Sequence, residues 1–153
     1  MRDSSHNRGQ TPLLVVVALV GVGLGVGMFT FSYGKGASYL TNDPAACANC
    51  HIMEPQYSAW LTGSHRKAAT CNDCHTPDGT IAKYVTKASN GFWHSTAFTS
   101  GIFHEPIQIK ATNRAIAEQR CRDCHAPMVH AILANNDGSV SCLACHPSVG
   151  HRR

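Results

Sequence analysis

The distribution of apolar residues divides the chain into two unlike parts. Residues 13–31 form an apolar run that is interrupted only by Thr30. An α-helix of about 20 apolar residues spans the hydrocarbon core of a bilayer, so a transmembrane anchor is predicted over residues 13–34. Residues 35–153 mix polar and apolar positions, and they are predicted to form one compact domain outside the bilayer.

The charges that flank the apolar run predict its orientation. Arg2 and Arg8 precede the run, which favours a cytoplasmic tail over residues 1–12 and places everything after residue 35 outside the cytoplasm. Lys35 on the far side weakens this asymmetry. A cleaved signal peptide is the alternative, but its apolar core usually has about 7–15 residues, which is shorter than this run.

Beyond the anchor, the pattern predicts short helices and loops, without a convincing alternating strand. Asp78 is expected to cap a helix over residues 80–98, and a second helix is expected over residues 107–120. A turn is expected at residues 135–138. The predicted fold class is therefore mostly α with extensive loops, built as one N-terminal transmembrane helix plus a compact domain.

Cysteine and histidine spacing changes this picture most. All eight cysteines of the chain fall in Cys-x-x-Cys pairs, and a histidine follows each pair directly. The pairs are Cys47/Cys50, Cys71/Cys74, Cys121/Cys124 and Cys142/Cys145, and the histidines are His51, His75, His125 and His146. This spacing is typical of c-type haem attachment, in which two thioethers hold the haem and the histidine ligates its iron. A disulfide framework or zinc sites would leave the four histidines unexplained.

Four covalently bound haem c groups would also change how the domain is built. There is little protein left for an ordinary core, so the haem faces are expected to supply it. The motif starts are separated by 24, 50 and 21 residues, which suggests two haem pairs joined by a longer connection. The formal net charge is +4, and the basic residues are expected to neutralise the haem propionates. Because the chain has no run of basic residues, no nucleic-acid binding is predicted.

Further iron ligands have to come from outside the histidines of the four motifs. The candidates beyond the anchor are His65, His94, His104, His130 and His151, together with the methionines Met53 and Met128. Met53 lies two residues after His51. It can pack on a haem edge, or it can ligate iron and raise the potential of that haem.

Several segments together resemble the NapC/NirT family of membrane-anchored quinol dehydrogenases, and within it the small tetrahaem subunits that serve cytochrome c nitrite reductases. The segments are NDPAACANCHIMEPQYSAW, the GSH before ATCNDCHTP, KYVTKASNGFWHSTAFTSG and the terminal CLACHPSVGH. The resemblance covers nearly the whole chain, including its single N-terminal anchor.

This resemblance implies a set of iron ligands. Met53 rather than His51 would hold iron 1, and His75 would hold iron 2, whose other face is completed by a partner's lysine or left exchangeable. The two remaining pairs would be His125 with His151 on haem 3 and His146 with His65 on haem 4. His130 would then be the alternative to His151.

The resemblance also implies a quinol site on the helix predicted over residues 80–98. Lys83, Lys87, Asn90 and His94 are spaced i, i+4, i+7 and i+11, so they share one helix face. Histidine can accept a proton near neutral pH, and lysine can stabilise a developing quinolate. The alternatives are a solvated face beside a haem and, for His94, iron ligation.

The function implied is oxidation of menaquinol from the membrane lipid, with electrons passed through the haems to a larger multihaem nitrite reductase subunit in the periplasm. Three alternatives stay open at this point: the same role for another periplasmic reductase, a passive electron-transfer cytochrome, and a terminal multihaem reductase. The anchor, together with the Lys/His helix face, favours quinol oxidation among them.

Overall fold

The structure is a computed structural model that describes residues 10–136 and 140–151. Within these ranges all regular structure is helical, which confirms the predicted fold class. The α-helices are α1 (Gln10–Tyr33), α2 (Glu54–Leu61), α3 (Cys71–His75), α4 (Thr80–Ser100), α5 (Ala111–Cys124), α6 (Ala126–Ala134) and α7 (Cys142–Cys145). Short 3₁₀ helices cover Gly36–Leu40, Pro44–Asn49 and His51–Met53.

The chain separates into two units, one ending at Ser38 and one beginning at Tyr39. The first unit contains α1, whose 24 residues are mostly apolar and are exposed along the whole helix. In the described part of the chain, α1 is the one helix that is long and apolar enough to cross a membrane. The helix ends just before Lys35, which adopts a left-handed conformation with a φ of 51°.

The second unit has almost no polypeptide core of its own. Among its described residues, Ala46 and Ala117 are the buried apolar side chains, and Thr76 is the buried polar one. A domain of this size ordinarily buries many large aliphatic and aromatic side chains. The expectation that haem faces supply the interior therefore agrees with how the polypeptide is packed.

Elements that carry the Cys-x-x-Cys-His motifs contact one another in chain order. The 3₁₀ helix Pro44–Asn49, with the first motif, contacts α3, which carries the second. Helix α3 packs against α5, which carries the third motif, and α5 packs against α7, which carries the fourth. The second and third motifs are therefore adjacent in space although 50 residues separate their starts, because the chain passes through α4 and returns to α3.

Two predicted helix boundaries are wrong. Asp78 does not cap α4, because Gly79 occupies the N-cap position with a φ of 87°, and the Asp78 carboxylate pairs with Arg120 on α5 instead. The second helix begins at Ala111 rather than at residue 107, because Lys110 is still extended. That helix then continues through the third motif to Cys124.

The turn predicted at residues 135–138 lies at the end of the described structure. Asn135 and Asn136 form a turn after α6, and both side-chain amides donate to helix carbonyls four residues earlier. Residues 137 and 138 lie outside the described residues. Asn135 and Asn136 therefore end α6 in a turn, as predicted for this part of the segment.

Candidate functional site

The polar face of α4 is bound to other parts of the second unit. Lys87 Nζ donates to the carbonyl oxygens of Tyr39 and Thr41 at 2.8 and 2.7 Å. An ammonium group has three N–H donors. Two of those of Lys87 are used within the chain, which leaves one for a ligand.

The partner of this face is the segment 39–42, at the start of the second unit. Lys83 Nζ donates to Asn42 Oδ1 at 2.5 Å, and the Tyr84 hydroxyl donates to the Leu40 carbonyl at 3.0 Å. Asn42 Oδ1 also accepts from Asn72 Nδ2 at 3.1 Å, which connects the segment to α3. The N-terminal half of this face is therefore bound to other protein groups rather than free in solvent.

Segment 39–42 also lies beside the first haem-attachment motif. The Tyr39 hydroxyl is 3.6 Å from Cys50 Sγ. Burial and this contact with Cys50 raise the pKa of Tyr39 to about 12. Lys87 is close enough to Cys47 for the two to interact electrostatically. The lysine of the candidate site and the first motif are thus held together through one short stretch of backbone.

Partial burial and the neighbouring Lys83 ammonium lower the pKa of Lys87 from its usual value. Both causes disfavour the charged form, whereas the two carbonyl acceptors favour it. A cation that is partly desolvated in this way attracts a developing negative charge more strongly than a lysine in bulk water does.

The C-terminal half of the same face holds Asn90 and His94. Asn113 Nδ2, on α5, donates to Asn90 Oδ1 at 3.0 Å and leaves the Asn90 amide donors available. Partial burial and the charge of Lys110 lower the pKa of His94 below the usual histidine value. A neutral imidazole is the form that accepts a proton.

Cysteines of consecutive motifs approach one another. Cys71 and Cys47 lie within hydrogen-bond distance of each other, so the first and second motifs touch through their leading sulfurs. Cys74 interacts electrostatically with Cys124, and Cys121 interacts with Cys142. The sulfurs therefore follow the chain order from the first motif to the fourth, as a series of neighbouring haems requires.

Four of the predicted iron ligands come together as two pairs of rings. The rings of His75 and His151 are stacked with centroids 5.9 Å apart, and those of His65 and His125 meet edge to face at 6.1 Å. These are not the pairings that the resemblance implies, which are His125 with His151 and His146 with His65 and which stay predictions. Rings at these distances can ligate one iron or belong to two adjacent haems.

His151 is oriented as an iron ligand would be. Its Nδ1 lies 3.1 Å from the Gln56 carbonyl oxygen, so a proton on Nδ1 leaves Nε2 free for a metal. Burial and the neighbouring His151 lower the pKa of His75, which favours the neutral ring that ligates iron.

The other predicted ligands are held by local structure. Met53 is partly buried and its amide donates to the Cys50 carbonyl at 2.8 Å, whereas His51 is exposed. The amide of His146 donates to the Cys142 carbonyl at 2.9 Å, and its ring is exposed. His130 is exposed on α6. These positions are compatible with the predicted ligand set, which stays a prediction.

Two charged residues of α5 form hydrogen bonds with haem-attachment motifs, and neither was identified from the sequence. The Glu118 carboxylate accepts from the Ser141 hydroxyl and from the amides of Cys142 and Leu143, at the start of the fourth motif. Arg120 donates from Nε to the Asp73 carbonyl in the second motif at 3.0 Å. No local pattern marks either residue, because their partners lie 24 and 47 residues away.

The donor set fits haem c better than a bare metal ion. Within residues 10–136 and 140–151, no three His, Cys, Asp or Glu side chains cluster in a way that would hold a metal ion. Each cysteine pair instead stands with its own histidine, as covalent haem attachment requires. The thin polypeptide core leaves room for groups of that size.

Known proteins are similar to this chain over most of its length. The cytochrome c-type protein NrfH of Wolinella succinogenes is 38% identical over 129 residues, which cover 76% of this chain and 73% of that protein. The cytochrome c nitrite reductase subunit NrfH of Nitratidesulfovibrio vulgaris is 30% identical over 118 residues, covering 77% of this chain and 72% of that protein.

A solved structure and a family comparison extend the match. The crystal structure of the cytochrome c nitrite reductase NrfHA complex bound to the HQNO inhibitor contains a chain with a TM-score of 0.64 and 28% identity, over 90% of this chain and 91% of that one. The N-terminal region of the NapC/NirT cytochrome c family matches residues 9–146. The chain is therefore a membrane-anchored cytochrome with covalently bound haem c that belongs to the NapC/NirT cytochrome c family.

Proposed function

We propose that this chain is a quinol dehydrogenase subunit, which oxidises menaquinol at the inner membrane and delivers the electrons to a larger cytochrome c nitrite reductase subunit. The two similar NrfH proteins and the NrfHA complex support this role. The tail 1–12 lies in the cytoplasm, residues 13–34 cross the membrane, and residues 35–153 lie in the periplasm.

The observation that carries the proposal is the binding of Lys87. Two backbone carbonyls hold its ammonium group beside the first haem-attachment motif, and one N–H donor is left. Its position is fixed before any ligand arrives, so little reorganisation is needed when a quinol oxygen binds. Lys87 therefore binds one hydroxyl oxygen and stabilises the negative charge that develops as its proton leaves.

His94 is the proton acceptor at the same site. Seven residues of α4, or about 10 Å of helix, separate it from Lys87, so the two side chains can reach opposite oxygens of one quinol ring. Its lowered pKa keeps the imidazole neutral and ready to accept a proton at neutral pH. Asn90 lies between them and offers amide donors, and Lys83 holds the Asn42 side chain.

Four haem c groups are held by the eight motif cysteines. When bound, they accept electrons one at a time and conduct them between the quinol and the partner. The residues proposed to ligate iron are Met53 at haem 1, His75 at haem 2, His125 with His151 at haem 3, and His146 with His65 at haem 4. Intact-mass spectrometry of the mature chain tests the number: four haem additions are expected, and fewer would contradict it.

A coupled assay tests the delivery of electrons. Full-length protein in lipid vesicles is supplied with a reduced menaquinone analogue, purified nitrite reductase catalytic subunit and nitrite, without oxygen. Nitrite is expected to disappear only when both proteins are present. If the haems of this chain are reduced but nitrite persists, the quinol dehydrogenase role stands and another terminal reductase is the partner.

A further inference from the structure

The face of α4 opposite its packed polar side is apolar and open. On a helical wheel, Ile81, Val85 and Phe92 lie directly across from Lys83 and Lys87. Their exposed fractions are 82%, 62% and 63%. We call the surface made by Ile81, Val85, Ala88 and Phe92 the outer face of α4. A water-facing helix normally shows the reverse pattern, with its apolar side packed and its polar side open.

Haem groups do not explain this exposure. Lys87 binds the Tyr39 carbonyl, and the Tyr39 hydroxyl lies 3.6 Å from Cys50 Sγ, so the first haem-attachment site lies on the polar side of α4. The segment 39–42 and Asn113 of α5 pack against the same polar side. The outer face therefore points away from the elements that carry or adjoin the haem motifs.

Two exposed apolar residues near the C-terminal end of α4 have the character of a membrane interface. Trp93 is 53% exposed, and Ile102, in the segment after α4, is 79% exposed. Lys110 Nζ lies over the Trp93 ring at 5.4 Å from its centroid. Tryptophan and lysine are enriched where a protein meets lipid headgroups, because each combines an apolar body with a polar tip.

The charge of α4 suits a lipid surface too. The helix contains no Asp or Glu in its 21 residues, and its charged side chains are Lys83 and Lys87. An amphipathic helix without acidic residues can lie in the headgroup region of a bilayer, because it carries no carboxylate that anionic lipids would repel.

The short connection between the membrane anchor and the second unit keeps α4 close to the bilayer. Residues 34–38 connect the last residue of α1, Tyr33, to Tyr39, and Lys87 of α4 binds the Tyr39 carbonyl. A five-residue connection extends over no more than about 20 Å. We propose that the outer face of α4 lies in the surface of the same bilayer that the anchor crosses, as a second and peripheral membrane contact.

Lipid photolabelling of the full-length haem-loaded protein tests this proposal. The protein is placed in nanodiscs whose phospholipids carry a photoreactive group in the acyl chain, and labelled peptides are mapped by mass spectrometry. Labels are expected in α1, which is the internal positive control, and in α4 at Ile81, Val85 and Phe92. No label is expected in α5.

A double variant shows whether the outer face makes the contact. Val85→Asp with Phe92→Asp should reduce labelling of α4 several-fold and leave labelling of α1 unchanged. Both side chains are more than half exposed, so the substitutions remove little packing within the second unit beyond the ring contact of Phe92 with Trp93. Ser58→Asp, at an exposed position of α2, is the matched control and should change neither signal.

Labelling confined to α1 would overturn the proposal. So would labelling of α4 that vanishes when the nitrite reductase catalytic subunit binds, because the outer face would then be a protein interface. Cross-links between the outer faces of two copies of this chain would overturn it as well. None of these results bears on quinol oxidation at Lys87, which lies on the opposite side of the helix.

Discussion

The Glu118 carboxylate on α5 accepts a hydrogen bond of 2.8 Å from the backbone amide of Cys142, in the fourth haem-attachment motif. It also accepts from the Leu143 amide at 3.0 Å and from the Ser141 hydroxyl. One side chain of the third motif's helix therefore fixes the start of the fourth motif, and it does so through amides that α7 leaves without helical partners.

Replacing Glu118 tests this link. In Glu118→Gln the amide can accept at one oxygen only, so the free energy of unfolding should fall by about 1–3 kcal/mol, the usual cost of an unsatisfied donor. Thermal unfolding followed by circular dichroism measures the change. Glu105→Gln, in the exposed segment after α4, is the matched control and should unfold like the original protein.

The same carboxylate predicts a pH dependence of stability. Burial acts to raise the pKa of Glu118, but the hydrogen bonds from Ser141, Leu143 and Cys142 outweigh it and lower the pKa. Between the lowered pKa of Glu118 in the folded protein and the usual glutamate pKa of the unfolded chain, the unfolded chain binds more protons than the folded one. The free energy of unfolding therefore rises with pH in that range. The contribution is complete above the usual glutamate pKa and is lost as the pH falls through the lowered one. Glu118→Gln should remove this part of the acid-unfolding profile, and an unchanged profile would contradict it.

Arg120 should stabilise the packing of the second motif against the third, as Glu118 stabilises the start of the fourth. Its guanidinium donates to the Asp73 carbonyl at 3.0 Å and pairs with the Asp78 and Asp123 carboxylates, with 15% of the side chain exposed. Arg120→Lys keeps the charge and loses the planar fork, so we expect a loss of about 1–3 kcal/mol in unfolding free energy. Arg66→Lys, at an exposed position, should have no effect on the denaturant midpoint.

His94 should control how quinol oxidation depends on pH. The rate should rise as His94 loses its proton and level off above a midpoint that lies below the ordinary histidine pKa, because burial and Lys110 lower that pKa. Removing the Lys110 charge with Lys110→Gln should move the midpoint upward. Rates of haem reduction between pH 5 and 8, with Lys67→Gln as control, measure it. A midpoint that stays the same in Lys110→Gln would mean that His94 is not the group titrating.

His151 offers a test of the ligand set. Its Nδ1 contact with the Gln56 carbonyl leaves Nε2 for iron, so His151→Ala should convert one haem from six-coordinate low spin to an open, ligand-accessible form. Magnetic circular dichroism and carbon monoxide binding detect the change. His130→Ala is the control, and an effect of that variant alone would instead assign the ligand to His130.

Much of this molecule was predictable because its strongest signals are local in sequence. The apolar run gave α1, and the adjacent cysteines and histidine gave each haem motif. The helical spacing of Lys87 and His94 placed them on one face of a real helix, α4. Family membership and the helical fold class, both predicted from these patterns, are confirmed.

The errors and omissions concern contacts between distant parts of the chain. Asp78 has the sequence position of a helix cap, but its carboxylate pairs with Arg120, which is 42 residues away in the sequence. Lys87 could be placed on a polar face, but its carbonyl partners at Tyr39 and Thr41 precede it by 48 and 46 residues. Such partners depend on how the elements pack, which no local pattern specifies.

The central claim is that Lys87, held beside the first haem motif, binds the quinol that this chain oxidises. The most direct measurement is anaerobic stopped-flow reduction of the haems of full-length protein by a reduced menaquinone analogue, compared between the original chain and Lys87→Ala. We predict prompt haem reduction in the original chain and a rate lower by about 10²-fold in the variant, at equal haem content. Haems that stay oxidised in the original chain, or an unchanged rate in Lys87→Ala, would contradict the claim.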